Sequence, residues 1–230
     1  MAARVGQLSH RLPSAAKGWT GSGVPRQWHN SGLPEFFQIE AAGGARILRL
    51  VSPDGTNRLS RACVLALTAA IGELAREAKP LVITGNHHFF SAGAELHEIA
   101  ELGGNGSFEF ARMGQRLMAA VADFPAPVIA AVSGYCMGGG LDLALACQRR
   151  VASPHAIFGH RGAALGLITG WGGTQRLPRL VGRARALQML LEAEKVHARE
   201  ALRIGLVEAV AEDAVAEAVR RSGDRKVGGG

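Results

Sequence analysis

The sequence predicts an α/β fold in which strand, glycine-bearing loop and helix recur as stacked units on a parallel sheet. Three observations carry this. "PLVITG" at 80–85 leads through "FFSAGAEL" into a helical run, and "PVIAAVSG" at 127–134 leads through "YCMGGG" into another. Each helix carries an acid in its first turn, Glu95 or Asp142, so the two stretches read as copies whose loops emerge on one side of the sheet. The third is bulk: 230 residues, 47% hydrophobic and 20% charged, suit one well-buried domain.

The elements follow in order. "ARILRLV" at 45–51 reads as a strand, "PDGTNRLS" as a turn, and Ser60 as the N-cap of a long helix, "RACVLALTAAIGELAREA". After the strand at 80–85, "NHHFFSAGA" reads as a loop and "ELHEIAEL" as a short helix. A further helix, "FEFARMGQRLMAAVADF", stops before Pro125 and Pro127, which lack N–H groups and restrict the residues before them. The buried-type strand 127–134, the glycine stretch and the helix "LDLALAC" come next. "RVASP" and "AIFGH" read as short strands, "RARALQMLLEA" and "AREALRIG" as helices, "LVEAVA" as a late strand, and one short helix closes the chain.

Net charge is +7, and Arg4, Arg11, Lys17 and Arg26 all precede the first acid, Glu35. The expected organisation is a basic, disordered tail over 1–34, a core over 35–222 and a flexible glycine end over 223–230. A transit peptide fits the acid-free, Arg- and Ser-containing start, but glycine and proline interrupt it and no clear amphipathic helix forms. No run approaches the ~18 apolar residues of a membrane span, and the basic residues form no stripe with interleaved aromatics, which argues against membrane and nucleic-acid partners. Cys63, Cys136 and Cys147 are odd in number and form no C-x-x-C pair, so neither a disulfide framework nor a metal site is expected; the reduced thiols suit a cytosolic or matrix compartment, and a cytoplasmic location is the expectation.

A glycine approach to a helix N-terminus lets an anionic atom come close to unpaired N–H groups and the positive end of the dipole. The stretch "MGGGLDL" lacks the lysine and hydroxyl of a P-loop and the G-x-G-x-x-G spacing, so phosphate is the weaker ligand and a developing oxyanion the stronger. Taken alone, the three glycines fit close helix–strand packing equally well. His87 and His88 are adjacent, without the i, i+4 spacing of a helical zinc pair, and read as loop residues.

"FSAGAEL", "AAVSGYCMGGGLDLALAC", "FGHRGAALGLITGWGGTQRLPRLVG" and "AREALRIGLVEAV" together resemble, in order and spacing, the crotonase superfamily, the enoyl-CoA hydratase/isomerase family, over about residues 39–212. The resemblance implies a crotonase-like (ClpP/crotonase) spiral of repeated ββα units, here without much of the C-terminal helical region with which family members continue. It also implies an acyl-CoA thioester as partner, no cofactor beyond the CoA that enters with the substrate, and assembly as a homotrimer or dimer of trimers. The oxyanion hole falls on the backbone N–H groups of Ala94 and Gly139. Ala92, Glu95, Leu96, Gly138, Arg161, Gly162 and Trp171 become substrate-binding candidates, with packing an equal reading for Trp171.

The acids depart from the family pattern. Hydratases of this family carry one glutamate where this chain has Asp142 and a second where it has Gly162. Asp142 is then the water-activating carboxylate, as an aspartate at that position works in the related dienoyl-CoA isomerases, or else an ordinary first-turn acid. Gly162 removes the usual proton donor, and His160 and Arg161 beside it are the compensating candidates, His160 with a structural role at a strand end equally open. A glycine there with a nearby "GWG" is also similar to dihydroxynaphthoyl-CoA synthases, where bicarbonate replaces the carboxylate, although "GWGGTQRLPRLVG" is closer to the hydratases. The expected function is hydration of a 2-enoyl-CoA in fatty acid or related acyl-CoA metabolism. The alternatives are an isomerase, decarboxylase or C–C bond-forming reaction with Arg161 on a substrate carboxylate, and a non-catalytic acyl-CoA-binding paralogue.

Overall fold

The computed structural model describes residues 36–223. The tail expected over 1–34 lies outside them, as does all of the expected glycine end except Gly223.

A hairpin opens the fold. β1 (Phe37–Ala42) and β2 (Ala45–Leu50) pair antiparallel from Phe37↔Leu50 to Ala42↔Ala45, and the two turn residues, Gly43 and Gly44, both take positive φ, the backbone of a primed hairpin turn. β2 then pairs in parallel with β4 (Leu81–Thr84), β4 with β7 (Val128–Val132), β7 with β9 (Arg149–Ala152), and β9 with β12 (Ala209–Val210). This is a six-stranded sheet.

A second sheet holds β5 (Phe89–Ser91), β8 (Tyr135–Met137) and β10 (Ile157–Gly159) as parallel neighbours, with β11 (Val196–His197) antiparallel on β10. The chain therefore spirals: β4 then β5, β7 then β8, β9 then β10, one strand in each sheet per turn. Helices follow the first two turns, so the expected crotonase-like ββα spiral is the observed architecture. Gly134 makes one of the corners at φ +62, where a Cβ would collide with the His88 carbonyl.

The helices are α1 (Arg61–Ala75), α2 (Leu96–Ala100), α3 (Gly104–Ala122), α4 (Gly139–Ala146), α5 (Gly173–Val181), α6 (Arg183–Leu191), α7 (Ala198–Arg203) and α8 (Ala214–Ser222). Ser60 caps α1 as expected, its hydroxyl accepting the Cys63 N–H at 3.2 Å. The central strands alternate between two faces. Leu81, Ile83, Val128, Ala130 and Val132 enter the main core with Val64, Leu67 and Ile71 of α1 and Leu117, Met118 and Val121 of α3. Val82, Ile129 and Ala131 join Ile47 and Val151 on the opposite face, under Ala214 and Ala218 of α8. With both faces buried, these strands read as unbroken apolar runs. Every residue of α4 is buried, so this helix passes through the interior and its N-terminus opens from within the protein.

Several elements differ from expectation. β1 was not anticipated, because Gln38 and Glu40 on its exposed side dilute the apolar signal. "NHHFFSAGA" is not all loop: it contains β5 and β6 (Gly93–Ala94), the latter parallel to β3 (Arg58–Leu59). α3 starts four residues early, at Gly104, despite two glycines in its first turn. α1 ends at Ala75 rather than Ala78, which sits at φ +48, and the strand expected over 206–211 shrinks to Ala209–Val210.

Candidate active site

The two turns of the spiral bring the ends of β6 and β8 together. Ser91, fully buried, donates from its hydroxyl to the Asn57 carbonyl at 2.7 Å and accepts the Gly93 N–H at 3.1 Å, which holds the strand leading to Ala94. The same serine packs on α4, where a Cβ on Gly140 would come within 2.7 Å of its own Cβ. Gly138 then turns the chain from β8 into α4 at φ +50, ψ −119, a backbone only glycine adopts without strain.

As a result two amides become neighbours. A Cβ on Gly139 would lie 3.3 Å from the Ala94 nitrogen, and one on Gly93 would lie 3.2 Å from the Gly139 nitrogen. Gly139 is the first residue of α4, so its N–H has no partner within the helix and sits at the positive end of the dipole. Paired amides in such a place suit an oxygen on which negative charge develops.

One turn along α4, Asp142 is 1% exposed. The Thr169 hydroxyl donates to its Oδ2, while Oδ1 lies 3.4 Å from His160 Nε2. Burial pushes the Asp142 carboxyl up to about 7, against the opposing pull of the Thr169 hydroxyl, Arg176 and the Gly173 N–H. Burial also holds His160, 4% exposed, down at about 4, so the two do not form an ion pair near neutral pH. Neither Asp142 Oδ1 nor His160 Nε2 has a hydrogen-bond partner of acceptable geometry.

Gly173 makes this grouping possible. A Cβ there would overlap Asp142 Oδ1 and stand 2.7 Å from His160 Nε2 and 2.9 Å from the Thr169 methyl. The start of α5 thus closes directly over all three side chains. Thr169 and Gly173 escaped sequence reading because their partners are distant in the chain; the only hint was the density of glycine in "GWGG".

These groups share a cavity of about 480 Å³, within the ordinary range for small-molecule sites. Ala92, Ala94, Leu96, Gly138, Gly139, Asp142, His160, Arg161, Gly162 and Trp171 all line it, so ten of the eleven candidate residues converge. Glu95 does not line it: its side chain turns outward, accepts the His97 N–H at 3.4 Å as the cap of α2 and lies 3.9 Å from Arg58. The contact the structure gives Glu95 is thus a helix cap. Trp171 is packed and also reaches the cavity wall. It borders the cavity and is 3% exposed, its ring 5.3 Å from that of Phe110 and its indole N–H donating to the Phe110 carbonyl at 3.3 Å.

Position 162 carries no acid and has little room for one. The segment folds as a tight 3-10 turn over Arg161–Leu165, and the Leu167 N–H returns to the Gly162 carbonyl at 2.8 Å. A Cβ on Gly162 would stand 2.8 Å from the Leu167 carbonyl oxygen. Gly162→Glu is accordingly expected to leave turnover of any 2-enoyl-CoA no higher than the unsubstituted protein's, measured by loss of the conjugated thioester absorbance, because the new side chain must first displace backbone.

The family described as enoyl-CoA hydratase/isomerase matches residues 40–225. A probable enoyl-CoA hydratase of Bacillus subtilis is 42% identical over 160 residues, 68% of this chain and 62% of that protein. A crotonyl-CoA hydratase of Syntrophomonas wolfei is 40% identical over 181 residues, 76% of this chain and 69% of that protein. The chain thus spans less than two thirds of the length of the first of these relatives. Among solved structures, DspI of Pseudomonas aeruginosa superposes with a TM-score of 0.78 at 37% identity, covering 84% of this chain and 81% of its own. An enoyl-CoA hydratase of Bacillus anthracis superposes at 0.77 with 32% identity, covering 82% and 75%. Among the described residues no helix is long and apolar enough to cross a membrane.

Proposed function

The chain belongs to the enoyl-CoA hydratase/isomerase family, and from that premise we propose that it adds water across the double bond of a 2-enoyl-CoA. The thioester carbonyl docks on the N–H groups of Ala94 and Gly139. Asp142, as carboxylate, takes a proton from water as the oxygen adds to Cβ, and the electrons moved onto the carbonyl oxygen form an enolate that the two amides stabilise. The reading needs no cofactor beyond the CoA of the substrate, and it places the protein in fatty acid or related acyl-CoA metabolism as a cytoplasmic trimer. Light scattering on a sizing column tests the assembly.

The observation that carries the proposal is the shared cavity: paired amides and a buried carboxyl meet in one pocket whose remaining walls are mainly apolar. The test is trans-2-butenoyl-CoA with purified protein. Disappearance of the conjugated absorbance with formation of 3-hydroxybutanoyl-CoA supports hydration. Binding of the thioester without turnover points instead to an acyl-CoA-binding protein.

Arg161 favours a second reading. It is exposed and on the cavity wall, where a guanidinium suits a carboxylate at the far end of an acyl group. Under that reading Arg161→Ala is expected to lose activity on carboxylated acyl-CoAs roughly 10-fold or more while sparing simple enoyl-CoAs, the size of one charge-assisted contact. Equal rates on both substrate classes in the variant count against it.

A further inference from the structure

Hydration of an enoyl thioester needs a proton taken from water and a proton delivered to Cα. Asp142 accounts for the first. The second has no carboxylate at position 162, where the Leu167 carbonyl occupies the adjoining space. Among the residues lining the cavity only Asp142, His160 and Arg161 ionise. Arginine does not give up its proton in proteins, which leaves the imidazole.

His160 is built into place. It follows β10 directly, and β10 is the parallel neighbour of β8, whose end leads into the oxyanion turn. Its Nε2 is 3.4 Å from Asp142 Oδ1, both side chains are at least nine-tenths buried, neither atom has a hydrogen bond of acceptable geometry, and both residues line the same cavity. Two unsatisfied buried polar atoms side by side are costly and rare, and a site of proton exchange is one setting that retains them.

We propose that His160 carries to Cα the proton that Asp142 takes from water, so that a carboxylate and an imidazole divide the work that two carboxylates would do. The inference rests on the hydratase reading. In the first step a water O–H bond breaks, its proton goes to Asp142 Oδ1, the oxygen bonds to Cβ, and the π electrons of the double bond form the enolate. The proton then passes from Oδ1 to His160 Nε2. Finally the imidazolium N–H bond breaks and the enolate electrons form the Cα–H bond. Asp142 is again a carboxylate, His160 is again neutral, and both hydrogens of one water reside in the product.

The groups around the pair favour this traffic. Arg176 on α5 acts on Asp142, Thr169 holds its other oxygen, and Cys136 on β8 stays a neutral thiol because burial raises it well above its usual range. The imidazole, depressed by burial, is a strong acid once protonated, so it hands the proton on rather than storing it.

The test uses the full chain and two readouts: hydration of trans-2-butenoyl-CoA, and exchange of the α-hydrogens of butanoyl-CoA in D₂O followed by NMR, which needs enolate formation and proton carriage but no hydration. His160→Gln is expected to lose ~100-fold or more in both rates, within the range for a general acid–base group, with butanoyl-CoA binding by calorimetry unchanged. Added imidazole is expected to restore part of both rates to His160→Ala, which a purely architectural histidine does not permit. Hydration by His160→Gln within ~10-fold of the unsubstituted protein overturns the relay, since that is below the usual acid–base contribution. Loss of binding or of cooperative unfolding in both variants, without imidazole rescue, also overturns it. Unsubstituted protein that does not hydrate sinks the hydratase reading and the relay built on it, whereas hydration that survives in His160→Gln sinks the relay alone.

Discussion

Asp142→Asn is expected to lose hydration activity by ~10³-fold, within the range measured for a removed general base, and to gain thermal stability at the same time. Both follow from one fact, a carboxyl buried so deeply that its pKa stands near 7. In the proposed mechanism the carboxylate is the active form, so kcat/KM of the unsubstituted enzyme should rise as pH passes upward through about 7. Stability runs the other way. Because the folded pKa lies above the unfolded value of 3.8, the folded state binds the extra proton between 3.8 and about 7, and stability contributed by this group falls as pH climbs through that window. Above pH 7 the buried charge costs on the order of 4 kcal/mol by the pKa difference, a ceiling that the neutral amide escapes. Thermal melts of both proteins from pH 5 to 8 check this: the variant's advantage should widen with pH and reach several degrees. An advantage that shrinks with rising pH would mean the carboxyl is not held neutral by its surroundings.

Gly139→Ala is expected to be the next most damaging change. Its methyl would come 2.6 Å from the Trp171 ring and 3.3 Å from the Ala94 amide, intruding where the thioester oxygen should sit. Loss of one oxyanion donor alone costs ~10²–10³ in kcat, and overpacking adds ~1–3 kcal/mol of instability. The ring has no easy retreat, since its other side lies directly on Gly114 of α3, where a Cβ would also overlap it. Single-turnover rates with trans-2-butenoyl-CoA and a urea titration separate the two effects. Full activity in a stable Gly139→Ala protein would mean that the thioester oxygen does not sit where the methyl intrudes.

The repeat of strand, glycine loop and helix was legible because buried parallel strands and glycine corners write themselves locally; Ala94 and Gly139 were singled out only through the family resemblance, and the fold brings their amides together. The second-sheet strands β5 and β8 were less so: three residues each give no periodicity, and β5 is recognised only by its partner. α5 was hidden by Pro178 in its interior and by a start on two glycines. Asp142 and His160 were named from the chain, but their 3.4 Å separation depends on Gly173, 31 positions past Asp142, leaving room for both. Glu95 shows the converse. It is an acid beside the site in the chain, yet its side chain accepts the backbone N–H of His97 and does not line the cavity.

The outer face of the large sheet, with Val82, Ile129, Ala131 and Val151, is sealed by α8, the last described element. On the ribosome those strands emerge well before their cover does. At ~5–20 residues per second the apolar face waits several seconds for Ala214 and Ala218 to arrive, a window in which nascent chains stick to one another or recruit chaperones. A stop codon placed just before Ala214 should therefore raise the share of product recovered as inclusion bodies without touching a single residue of the cavity.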